Sequence, residues 1–350
     1  MFACIWVTPI YDSNQDPVDK CFTGSFYFTI LPAAFNLYEQ LRKRGTTIME
    51  RIAHFKRIEK AISRNLTNRG MEGIVLEDEL KKAAVELLSA NVIFIVTGFV
   101  IRDVLMGETD GPIGTVSLAG ALEKLGKKVV LITDKYSRDL LYKCIEIKKL
   151  NIPIEVITYG EESKFSITIM EKYKPSHIIA IERPGRALDG NCYSMRGEDL
   201  SDIIPNADIL FEYAKKQGII TLAVGDGGNE IGMGKVRPYI EQSVPLGNKI
   251  CATFSTDYLI IAGVSNWGGH ALVAALSLLK NKMLLHDTEV EIQLLEGMIS
   301  VGAVDGYSKK RTLTVDGLDL KDNIYVLRML RNIVNYALIE RFIIGGKYAK

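Results

Sequence analysis

The sequence predicts an α/β fold in three layers: a doubly wound, mostly parallel, Rossmann-like sheet with C-terminal helices closing the chain. Three observations predict it. From residue 91 onward, short β-branched runs alternate with segments of helical period, which is the pattern of parallel βαβ units. The runs are almost continuously apolar, as in strands buried on both faces. The segments after the strands are rich in glycine and polar groups, whereas those before them are plain helix-to-strand turns such as LGKK and KQG. Ligands of open parallel sheets sit at the carboxyl ends of the strands, so that rim is the one to search.

Apolar spacing marks helices over 50–63 and 77–88, with NRGMEG as the loop between them. NVIFIVTGF (91–99) is the first buried strand, and 113–125 a helix with small residues on one face, stopped by LGKK. The cycle repeats with strands KVVLITD (128–134), IPIEVITYG (152–160), SHIIAIERPG (176–185) and GIITLAVGDGG (218–228), and helices over 137–149, 163–173 and 207–217. DYLIIAGVSN (257–266) is the last clear strand, followed by a helix through Leu279, and helices from Thr288 and Lys321 close the chain. The stretch 233–251 breaks the rhythm and is expected to be a small hairpin or lid.

Composition removes several functional classes. The 350 residues carry a net charge of +1, so no global field attracts nucleic acid or an anionic membrane. Five scattered cysteines without a CxxC pair argue against a disulfide framework or zinc site and for a reducing, cytoplasmic setting. The four histidines are scattered and form no HExxH motif. Residues 21–38 are uncharged and precede Arg42, Lys43 and Arg44. Pro32 interrupts that run, which sits near the lower limit of about 18 apolar residues for a membrane span. Asp12, Asp16 and Asp19 outweigh Lys20 before it, against a signal peptide. Residues 1–48 are therefore read as an appended or poorly ordered extension, with Met49 a candidate natural start and 49–350 a single domain.

Four loops on the ligand rim carry the candidate chemistry. In GETDGPIG (107–114), Thr109 or Asp110 would cap a helix opening near Pro112. Capping leaves Glu108 and Gly114 unexplained, and a helix start is also an anion site. The long segment 181–201 holds Glu182, Arg183, Arg186, Asp189, Asn191, Arg196, Glu198 and Asp199. Arginine forks suit carboxylates or phosphates, and the plain alternative is a surface loop with internal ion pairs. GDGGNEIGMG (225–234) lacks the spacing of a dinucleotide fingerprint and the GK[ST] of a P-loop. Its glycines, including Gly227 and Gly228, would let Asp226, Asn229 and Glu230 bend into a shared site, or form only a tight turn. GVSNWGGHA (263–271) offers Ser265 and Asn266, the latter a candidate N-cap, and His270, read as packed. Asp305 and Asp316 stand in two VDG turns, needing no function there but able to join the cluster. Mixed charge of this kind suits a small zwitterionic, acidic metabolite or a metal-bridged phosphate. Mg²⁺ is open as a cofactor, no metal ligand set is assigned, and a homo-oligomer is open.

Taken in order, ETDGP (108–112), ERPGR (182–186), DGN (189–191), MRG (195–197), GDGGNEIGMG, AGVSNWG (262–268) and GAVDG (302–306) resemble the C-terminal domain of the D-glutamate cyclase family and its single-domain relatives. The resemblance spans about 49–331. In two-domain members, a hydro-lyase-like domain precedes it. The resemblance implies conversion of D-glutamate to 5-oxo-D-proline with loss of water. The residues can support that reaction: Arg183, Arg186 or Arg196 would hold substrate carboxylates, and Glu108, Asp110 or Asp226 would bind the ammonium and take its proton. Glu230 or Glu182 would protonate the leaving hydroxyl, and glycine N–H groups of GDGG would stabilise the oxyanion. The alternatives are a module binding an acidic metabolite or nucleotide without turnover, and Mg²⁺-dependent phosphoryl transfer through Glu108, Asp110, Asp226 and Glu230.

Overall fold

The computed structural model describes residues 53–346, with side chains described through residue 341. The extension expected over 1–48, its apolar run and Met49 lie outside the described residues. Two helices, α1 (53–62) and α2 (Glu79–Ser89), precede strand β1 (Val92–Thr97). There follow α3 (Pro112–Lys124), β2 (Lys128–Thr133), α4 (Arg138–Lys148), β3 (Ile154–Val156), α5 (Glu162–Tyr173), β4 (His177–Ile181) and α6 (Asp208–Lys216). The chain continues through β5 (Ile220–Gly225), α7 (Arg237–Ser243), β6 (Tyr258–Ile261), α8 (Ser265–Lys280), α9 (Thr288–Ser300) and α10 (Leu320–Gly346).

The six strands form one all-parallel sheet in the order β3-β2-β1-β4-β5-β6. That is the doubly wound arrangement expected, and its switch point falls between β1 and β4. The apolar runs divide by alternate residues. Ile93 and Ile95 of β1 join one core with α3, α4 and α8, while Phe94 and Val96 join the other with α5 and α6. A strand covered on both faces needs apolar residues at both parities, which is why these runs show no polar alternation.

The stretch 233–251 is helical rather than a hairpin: α7 and a helical turn at Gly247–Ile250 bury Ile240 and Ile250 in the second core. The reason is topological. β5 and β6 are parallel neighbours, so their connection must cross a face of the sheet instead of doubling back. The second VDG is a turn as read. Asp316 (φ 52°) and Gly317 (φ 74°) reverse the chain between the paired segments Thr314–Val315 and Leu318–Asp319, a left-handed pair typical of two-residue hairpin turns. Among the described residues no helix is long and apolar enough to cross a membrane.

Candidate functional site

The switch-point rim opens into a cavity of about 550 Å³. Its interior is acidic. Glu108 arrives from the β1–α3 loop, Glu182 from the end of β4, Asp226 from the end of β5, and Asp316 from the VDG turn. Asp110 lies just behind them, 1% exposed, with a carboxylate oxygen within 4.8 Å of those of Glu182 and Asp226. Arg69 is the cation in contact with this group. Its guanidinium lies 3.0 Å from Asp226 and also pairs with Asp316.

Two helix starts fix the aspartates. Asp110 Oδ1 accepts from the N–H of Gly111 (2.9 Å) and of Asn266 (2.7 Å), and its Oδ2 from that of Ser265 (2.8 Å). Asn266 Oδ1 in turn accepts from Gly111 (3.1 Å) and Gly114 (2.7 Å), and its amide donates to the Thr109 carbonyl (3.0 Å). The first turns of α3 and α8 thus exchange caps, satisfying N–H groups that a helix start leaves open. Asp110 caps the distant helix α8 as well as holding the backbone before its own. Gly114 is now explained. The helices cross so closely that a Cβ on Gly269 would lie 2.7 Å from the Gly114 backbone. Ser265 and Asn266 do not line the cavity; they hold the carboxylates that do the site's electrostatic work, Ser265 N–H also reaching Asp226 at 3.2 Å.

Burial dominates the electrostatics. It pushes the Asp110 carboxyl up to about 7, with Asp316 adding repulsion. Burial first, and then neighbouring carboxylates, also raise Glu108 and Glu182 well above the usual range. Asp226 is raised by burial although Arg69 opposes the shift. Glu182 is 6% exposed and its Oε2 has no hydrogen-bond partner. It also sits at φ 48°, a left-handed conformation that costs a side-chain-bearing residue about 1–2 kcal/mol. Arg183 beside it holds that backbone in place. Fully buried, its guanidinium binds Asp134, the Gly98 carbonyl (3.1 Å) and the Pro205 carbonyl (2.8 Å).

That anchoring role corrects the expectation that Arg183 meets substrate. Arg186 is likewise turned to Glu212, while Asp189 and Asn191 bond within their own loop, and none of these lines the cavity. Arg196 does reach it, at the rim, where it donates to the Tyr307 carbonyl (2.7 Å). The glycine turn answers a different question from the one its sequence raises. Glu230 folds back so that its carboxylate accepts from the N–H groups of Asp226 (2.9 Å), Gly227 (2.7 Å) and Gly228 (2.7 Å). Those donors are occupied, so Gly227 and Gly228 form no free oxyanion hole, and Glu230 is a turn anchor rather than a proton donor. Asn229 lines the cavity and ties the turn to the Tyr193 carbonyl (2.7 Å).

Arg69 is the residue that sequence reasoning missed. It ends a short helical turn, Leu66–Arg69, in the segment read as a plain loop, and Gly70 (φ 70°) stops the turn behind it. A surplus of acids on the rim was the available hint that a cation must enter from elsewhere. Among the described residues, two groups have the chemistry to hold a metal: Asp110, Glu182 and Asp226 on the rim, and His270, His286 and Glu291 in the helical layer.

Fold and site together define a Rossmann-like α/β protein with an acid-lined crevice at its switch point. The family model described as D-glutamate cyclase-like, C-terminal, matches residues 58–331, and the chain belongs to that family. It is 37% identical over 238 residues to the mitochondrial D-glutamate cyclase of Homo sapiens, a match covering 64% of this chain and 39% of that protein. The matched part is therefore well under half the length of this curated relative.

Proposed function

We propose that the crevice binds D-glutamate and cyclises it to 5-oxo-D-proline with loss of water. The observation that carries this reading is the polarity of the cavity: a buried acidic group beside one guanidinium, with Arg196 and Lys309 at the rim. An amino acid with two carboxylates and one ammonium complements that pattern. Asp110 and Asp226, held by backbone N–H groups, receive the ammonium. Arg69 and Arg196 receive the carboxylates.

Ring closure forms the N–C bond to the carbon of the γ-carboxyl (Cδ) and breaks a C–O bond of that carboxyl. Two protons leave the nitrogen, and both end on the oxygen that departs as water. Glu108 and Glu182 suit that transfer, because burial raises their proton affinity and Glu182 Oε2 has no hydrogen-bond partner. With the glycine N–H groups engaged by Glu230, Arg69 is the group placed to stabilise the oxyanion. A reducing, cytoplasmic setting belongs to the same proposal, supported by free buried thiols at Cys144, Cys192 and Cys251.

The test is purified protein with D-glutamate and chiral detection of 5-oxoproline. Formation of the D-product supports the reading. Binding by calorimetry without product overturns the catalytic part and leaves a recognition module; absence of both overturns the whole.

A further inference from the structure

We propose that Asp110, Glu182 and Asp226 form a binding site for a divalent cation of the Mg²⁺ or Mn²⁺ class. The inference rests on the same crevice as the cyclase reading and refines it. The three carboxylates come from the ends of three different strands or their loops, and one oxygen of each lies within 4.8 Å of the others. Mg²⁺ holds oxygens at about 2.1 Å, so its ligands stand about 3 Å apart when adjacent and about 4.2 Å when opposite. The group is already close to that spread.

A second observation points to a ligand. Glu182 Oε2 is buried and has no hydrogen-bond partner, in a residue only 6% exposed. Buried polar atoms are nearly always paired, so an orphaned carboxylate oxygen beside two further carboxylates marks a missing cation partner. Ser265, whose N–H binds both aspartates, carries another buried hydroxyl without a partner. An all-oxygen set selects a hard cation over zinc or copper. The two aspartates keep their backbone donors when they bind it, since Asp110 Oδ2 and Asp226 Oδ1 each have one partner and so a further lone pair; the donors then orient the ligands. Asp110, Glu182 and Asp226 then act as cation ligands, in place of their roles toward ammonium and proton, and Glu108 is left as the proton carrier.

The experiment uses the full chain stripped with EDTA and titrated with MnCl₂, the free ion being read by electron paramagnetic resonance. Saturable uptake, competed by MgCl₂, is expected. Glu182→Gln is expected to weaken it at least about tenfold with an unchanged circular dichroism spectrum, and Asp226→Asn carries the same test if that variant does not fold. No uptake by the wild type, or undiminished uptake by a folded variant, overturns the site. Calorimetry of D-glutamate with the stripped protein separates the two readings: substrate binding without cation uptake overturns the cation site alone, and absence of both overturns both.

Discussion

Two buried polar groups in this molecule invite comparison. The crevice gathers Glu108, Asp110, Glu182, Asp226 and Asp316 around Arg69. The helical layer holds a chain of contacts: Lys148 Nζ to His286 Nδ1 (3.0 Å), His286 Nε2 to Glu291 (2.6 Å), His270 Nε2 to Glu291 (3.2 Å) and His270 Nδ1 to Ser117 (3.0 Å). Lysine can only donate, so His286 accepts at Nδ1 and carries its proton on Nε2, which donates to Glu291. Burial opposes ionisation of Glu291, yet the two imidazoles hold it well below the usual carboxylate range. In the helical layer both oxygens of the acid are bonded and its ring nitrogens are all partnered. In the crevice an oxygen stands alone and acids outnumber their cation. A closed network has spent its hydrogen-bonding capacity on the fold; an open one retains it for something that arrives. The same residue types therefore read as structure in one place and as a site in the other.

The largest expected effect breaks the crevice. Asp226→Asn removes the charge facing Arg69 and should lower D-glutamate turnover about 10³-fold, while thermal unfolding shows the protein still folded. Undiminished 5-oxoproline formation would remove Asp226 from the chemistry. The reverse is expected of the helical network. Glu291→Ala leaves two buried imidazoles without their acceptor and should cost about 3–5 kcal/mol in urea unfolding, with turnover by the remaining folded fraction near wild type. A neutral result would show that the network is not structural.

The strands were legible because each is a β-branched run that must be apolar at both parities, and the rim because its acids directly follow those runs. The arginines were not. Arg183 and Arg196 have the same chemistry in the same loop, yet one is locked to Asp134 across the sheet and the other sits at the cavity rim. That difference is made by strand order, which a linear reading does not contain. Arg69 precedes the first strand and reaches the crevice only through tertiary packing. In GDGGNE the glycines did signal a close approach of something charged, but the approaching group is the chain's own Glu230.

Gly269→Ala tests the crossing that positions the crevice from outside it. The added methyl would meet the Gly114 backbone and push α3 from α8, costing about 1–3 kcal/mol. Because those helices exchange the caps that hold Asp110, turnover should fall with stability. A variant that loses stability but keeps full turnover would show that the caps do not tune the site.

The smallest effect separates the two groups by the sign of their pH response. Asp110, pushed up to about 7, binds its proton more tightly folded than unfolded. Its contribution to stability is therefore greatest at low pH and declines as pH rises from about 4 to about 7. His286 is pushed down to about 4 by burial, so the unfolded chain binds that proton more readily, and stability declines as pH falls from about 6.5 to about 4. The opposing slopes partly cancel in the wild type. In EDTA, Asp110→Asn should weaken the acid slope, to which Glu108, Glu182 and Asp226 also contribute, and His286→Gln should remove the histidine slope, read from urea midpoints across pH 4–7. If both variants shift the profile in the same direction, the two clusters do not differ electrostatically in the way their hydrogen bonds imply.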